Sequence, residues 1–242
     1  MNSYGMSAGN KGTRPVTFSA FDTPVVVQPV VLLNLVGLWT LLTWLTGRRA
    51  PERPSCVRIP VGFLGVLTLM AADLGHALAH TVSARWAGAP TDEIQVSAGM
   101  PRTIYYDHDV APRAHCLRAL GGPLFSAAGL LLSLIWRAAV SPGSVQRELA
   151  DWSCLGHGLI LGGSLMPLPI VDGGVILKWT LVESGRAPAE ADIAVQQASL
   201  AFGAASSLAG VALAAKQRRL PAAGLILAGL LFLGTGLSKI RR

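Results

Sequence analysis

Six stretches of this chain are long and apolar enough to cross a bilayer, and no other feature limits its fold so severely: residues 25–46, 59–88, 116–138, 152–182, 195–215 and 221–238. Inside hydrocarbon every backbone N–H and C=O must be paired within the spanning structure, which for segments of this length means helices. The expected architecture is therefore an all-α polytopic membrane protein of about six transmembrane helices. Only 14% of the residues are charged, against about one-quarter in an average soluble domain. Residues 1–24, rich in Gly, Ser and Asn, are expected to form a mobile tail, and 25–242 a single membrane domain. The first apolar stretch starts too late and runs too long for a cleaved signal peptide, so it is read as a retained helix.

The net charge of +7 comes from basic residues scattered over loops and ends. They flank apolar segments rather than forming a patch, so nucleic acid is excluded as a partner and membrane lipid is expected. Their near-even split between the two sides gives no orientation. Cys56, Cys116 and Cys154 form no CxxC pair and read as small apolar fillers.

Polar residues inside apolar stretches are costly, about 2.5–3.5 kcal/mol for a charge at the bilayer centre by insertion scales, so each needs a partner or a task. In "AADLGHALAH", Asp73, His76 and His80 fall on one helical face. His157 lies in another stretch, 15 positions before Asp172. Asp172 itself follows "MPLPIV", where two prolines preclude a continuous helix. Broken backbone at membrane depth is tolerated where protein buries it or where it lines a wet cavity, so Asp172 should face something polar. Imidazole and carboxylate together suit a divalent metal such as zinc. Simpler readings also stand: Asp73 pairing with His76, and Asp172 capping amides freed by the break. The longest polar connection, "TDEIQVSAGMPRTIYYDHDVAPRAH", carries two short β-prone runs, about 94–98 and 102–106, expected as a hairpin at the membrane face. His108 and His115, in or beside it, are expected to be solvated. Tyr105 and Tyr106 read as interfacial anchors.

Three separated features then resemble the site-2 proteases, intramembrane zinc metallopeptidases. "LGHALAHTVSARWAGAP" is similar to the second half of that family's His-Glu-x-x-His helix, and "RALGGPLFSAAGLLL" to the opening of its next helix. "SLMPLPIVDGGVIL" resembles the Asn-x-x-Pro-x-Pro-x-x-Asp-Gly-Gly segment that supplies the third zinc ligand. The resemblance covers about residues 59–185 and implies zinc, a membrane-embedded peptidase fold and transmembrane segments of other proteins as partners. It also implies that Tyr105 and Tyr106 belong to a strand edge that pairs with extended substrate.

Carried over position by position, His76 matches the second histidine ligand and Asp172 the aspartate. The first histidine falls on Ala72 and the catalytic glutamate on Asp73, while Ser126 and Ser164 replace two asparagines. In that register the motif is degenerate, and the chain reads as a pseudoprotease that binds or regulates other membrane proteins. The alternative is an active protease with the ligand pair moved one turn, using His76, His80 and Asp172, with His157 as a replacement ligand and Asp73 nearby; position 77, where that register wants Glu, is Ala. A second alternative is a small proton-coupled transporter using Asp73 and Asp172. A bacterial-type plasma membrane is the expected location.

Overall fold

The computed structural model describes residues 15–217 and 219–238. Four strands and seven helices follow one another: β1 (Val16–Ala20), β2 (Thr23–Val27), α1 (Val31–Arg49), α2 (Ser55–Trp86), β3 (Glu93–Val96), β4 (Arg102–Ile104), α3 (Pro112–Ala139), α4 (Val145–Ser164), α5 (Asp172–Glu183), α6 (Pro188–Ala215) and α7 (Arg219–Ser238). Among the described residues four helices, α1, α2, α3 and α6, and not the six expected, are long and apolar enough to cross a membrane. Leu32, Leu33, Leu131, Leu132 and Leu208 stand exposed on three of them, which in a bilayer is the lipid-facing surface.

The fold is mostly helical but not all-α. The expected hairpin is β3–β4, yet it is half of a four-stranded mixed sheet in the order β1-β2-β3-β4. β1 and β2 occupy part of the stretch expected to be a mobile tail; residues 1–14 lie outside the described residues. Their turn, Phe21-Asp22, holds both residues at positive φ, 48° and 49°. That is the conformation a two-residue hairpin turn needs, and Asn-Gly is its usual sequence mark. A phenylalanine there gives no such signal. β2 and β3 run parallel, pairing Val25 with Ile94 and Val27 with Val96, because α1 and α2 carry the chain away and back between them. Val25, Val31, Ile94 and Val96 bury themselves against Ala77 of α2. The sheet thus sits on the helical turn that lies between His76 and His80.

The stretch expected as one apolar segment over 152–182 is two helices, α4 and α5, separated by residues 165–171. Pro167 and Pro169 cannot donate to a helical ladder, and short turn bonds replace it, Leu168 N–H to Met166 O at 2.8 Å and Val171 N–H to Leu168 O at 3.2 Å. Ser199 of α6 donates its hydroxyl to the Pro167 carbonyl. A neighbouring helix therefore satisfies backbone that the break sets free.

Away from the break, one buried polar network ties the other ends of the helices. Glu148 of α4, 6% exposed, accepts from Arg53 at 2.6 Å and from Thr46 of α1 at 2.5 Å. Removing one member of a buried pair leaves an uncompensated charge, typically costing about 3–5 kcal/mol, whereas replacing both with apolar residues can be neutral. Arg53→Met should accordingly lower the thermal midpoint of the detergent-solubilised protein steeply, and Arg53→Met with Glu148→Met should recover most of the loss, as followed by circular dichroism.

Candidate metal centre

α2 presents His76 and His80 one turn apart, and α5 opens with Asp172 immediately after the break. The three meet. His76 Nε2 lies 3.3 Å from Asp172 Oδ2, His80 Nε2 lies 3.3 Å from Asp172 Oδ1, and the two Nε2 atoms are 3.0 Å apart. Both histidines are buried and Asp172 is mostly so. Among the described residues this is the group of donors able to hold a metal ion.

Each ring is fixed from behind. His80 Nδ1 is 2.7 Å from the Arg118 carbonyl, which can only accept, so Nδ1 carries a proton and a neutral His80 turns its Nε2 lone pair toward His76 and Asp172. His76 Nδ1 is 2.9 Å from the hydroxyl of Ser126, a residue wholly buried in α3. With Ser126 accepting, His76 also turns an Nε2 lone pair inward. Two lone pairs and a carboxylate pointed at one another over about 3 Å repel unless a cation lies among them. Four ligands held tetrahedrally at about 2.0 Å from zinc are about 3.3 Å apart, which these separations match. Two nitrogens and one carboxylate leave a fourth position free, as catalytic zinc sites require.

The approach depends on α3 having no side chain at the contact. A Cβ on Gly122 would strike Nε2 of both His80 and His76, and one on Gly129 would strike the His157 ring. Gly122, Ser126 and Gly129 share one face of α3, so three imidazoles lie along a single groove. On the other side, a Cβ on Gly174 would run into the Leu168 carbonyl, so the first turn of α5 can fold back onto the break only with glycine there. The Gly-Gly after Asp172 is thus what allows the carboxylate to be delivered inward.

This geometry overturns the degenerate register. Ala72 is not a vacated ligand position: it is 1% exposed and faces α4, where a Cβ added at Gly156 would lie 3.5 Å from its own. The ligand pair is His76 and His80, one turn further along α2, and the metal-binding set is intact. The resemblance misplaced it because His76 can open or close a His-x-x-x-His pair, and one strand of text does not say which face of α2 meets α5. His157 stands apart from the three donors, buried beside Phe125 with Nδ1 lacking a hydrogen-bond partner. Asp73, one turn before Ala77 on the same face of α2, lines a cavity of about 180 Å³ between α1, α2 and the β3–β4 turn. Its Oδ1 is buried without a hydrogen-bond partner, and its carboxylate interacts electrostatically with His76. Ser164 donates to the Leu161 carbonyl of its own helix.

The neighbouring residues divide differently from expectation. Tyr106 is 70% exposed, while Tyr105 lies under the Arg118 guanidinium, 4.5 Å from ring centre to Cζ. His108 is exposed, but His115 is buried and stacks on Trp179 with ring centres 3.9 Å apart. Its place in the first turn of α3 looked solvated in the sequence; the packing of α5 across that turn buries it.

No family model and no curated protein matches this sequence. Among solved structures it is similar in fold to the site-2 protease from Methanocaldococcus jannaschii, with a TM-score of 0.51 and 16% identity over 93% of this chain and 94% of that one. The likeness is one of fold, and it spans nearly the whole of both chains.

Ser126→Ala removes the group that orients His76 without removing a ligand. Loss of such an outer partner typically weakens metal binding about 10–100-fold. Zinc titration of the purified variant against a competing chelator should show a drop of that order, with helical content unchanged.

Proposed function

We propose that the chain is an intramembrane zinc-dependent peptidase in which His76, His80 and Asp172 hold the metal and Asp73 serves as general base. The observation that carries this reading is the triangle of Nε2, Nε2 and carboxylate, with its 3.0–3.3 Å edges and both rings oriented from behind. Zinc bound there supplies Lewis acidity toward a carbonyl and toward a water. Every other role falls to the chain itself.

The carboxylate that abstracts a proton is the point at which this site departs from a His-Glu-x-x-His helix. Position 77 holds an alanine packed on the sheet. Helical side chains lean toward the N-terminus and cover the turn before their own Cα, so a glutamate at 77 would place its carboxylate near residue 73. Asp73 starts one turn earlier and is one methylene shorter, and it brings a carboxylate to that same surface. A buried oxygen without a partner is what a base waiting for a water or a peptide N–H should offer. The cavity beside it is walled by Val31, Leu35, Leu38 and Leu69 and bordered by Ser97 and Gly99, which fits an apolar segment of a membrane substrate unwound next to the sheet. Transmembrane segments of other proteins are the substrate class this supports, and lipid surrounds the exposed faces of the long helices.

Elemental analysis of the detergent-purified protein should find about one zinc per chain, lost in His80→Ala and Asp172→Asn and retained in Asp73→Asn. Removing a general acid–base group typically costs about 10²–10⁴-fold. Asp73→Asn should therefore cut cleavage of a reporter transmembrane segment by that order while keeping its zinc. Absence of zinc from the wild type would refute the reading.

A further inference from the structure

A second, larger cavity of about 420 Å³ opens beside the metal cluster. His80 and Asp172 form one end of it, and Tyr105, His115, Arg118 and Trp179 line the rest. Two polar atoms there are buried without any hydrogen-bond partner, the Tyr105 hydroxyl and His115 Nε2. Arg118 is only 4% exposed, yet among the described residues no carboxylate comes within ion-pair distance of it. Its Nε donates to the Ala89 carbonyl at 2.7 Å and its Nη1 to the Asp107 carbonyl at 3.1 Å. A guanidinium has five N–H donors, so most of its capacity is unspent. A buried cation without a counter-charge is expensive, and a phenol and a guanidinium together form a surplus of donors, with the His115 ring edge beside them.

We infer that this cavity binds a carboxylate of the peptide substrate, through Tyr105, His115 and Arg118, and so selects segments with an acidic residue beside the bond presented to His76, His80 and Asp172. The inference rests on the peptidase reading for what carries the carboxylate; the donor set itself does not depend on it. The place suits a charge. Arg118 is six residues from the start of α3 and His115 three, and at about 1.5 Å per residue both lie within about 10 Å of the helix end, next to the polar connection. Asp172, the acid at the cavity's end, is already engaged by two imidazoles.

The test compares two synthetic apolar peptides that differ only in one central Glu or Gln, titrated calorimetrically into the full-length protein in detergent, with protein-free micelles subtracted. Hydrogen bonds to a charged group are worth roughly tenfold or more in affinity. The Glu peptide should bind about tenfold more tightly than the Gln peptide. Tyr105→Phe, which keeps the ring under Arg118, and His115→Phe, which keeps a ring on Trp179, should each erase most of that preference with zinc content unchanged. Equal binding of the two peptides overturns the inference. So does a Glu preference that survives both substitutions combined with Arg118→Gln, since the carboxylate would then sit on the metal cluster. Binding is read on the protein as purified, whatever its zinc content, so a chain that lacks zinc but prefers Glu refutes the peptidase reading alone.

Discussion

Two imidazole nitrogens and a carboxylate are held within about 3 Å of one another in the interior of an apolar bundle, and the rest of the architecture can be understood as what keeps them there. Left to themselves such groups would separate or be solvated, because neither a charge nor an unpaired acceptor is stable in a low-dielectric interior. Here the Ser126 hydroxyl and the Arg118 carbonyl fix both rings from one side. The break before α5 fixes the carboxylate from the other. The three donors are placed where together they could hold one metal ion.

Close approach of helices is the second requirement. α3 meets α2 through Gly121 and Gly122, where an added Cβ would strike the Ala79 carbonyl and the two histidine rings. Without water in the bilayer core, van der Waals packing of small residues replaces the hydrophobic effect as the force between helices. The Gly122–Ser126–Gly129 face serves both ends at once: it lets the helices close and leaves room for imidazole. The sheet acts in the same region, covering α2 at Ala77 and walling the cavity that contains Asp73.

The two cavities that α2 borders differ in chemistry. The one beside Asp73 is lined mostly by Leu, Val and Met, with a single carboxylate. The one beyond Asp172 carries an arginine, two further histidines and a tyrosine.

The sequence by itself determined four of the six expected spans, α1, α2, α3 and α6, because a run of about 20 apolar residues has few alternatives in a bilayer. It also determined the break before Asp172, because two prolines cannot join a helical ladder, and the shared face of His76 and His80, which follows from helical periodicity. Tertiary structure alone decided the rest. Which His-x-x-x-His register meets Asp172 depends on how α2 is rotated against α3, α4 and α5, and that rotation is set by glycine contacts many residues away in sequence. The β1–β2 hairpin is not legible in the sequence because its turn is built from Phe21-Asp22, a pair that lacks the usual Asn-Gly signature and yet lies at positive φ. His115 reads in the sequence as a solvated residue beside the polar connection, and only the fold of α5 and the 102–108 connection over it and Arg118 made a buried cavity. Local pattern fixes what a segment is; side-chain environment is a property of which segments come together.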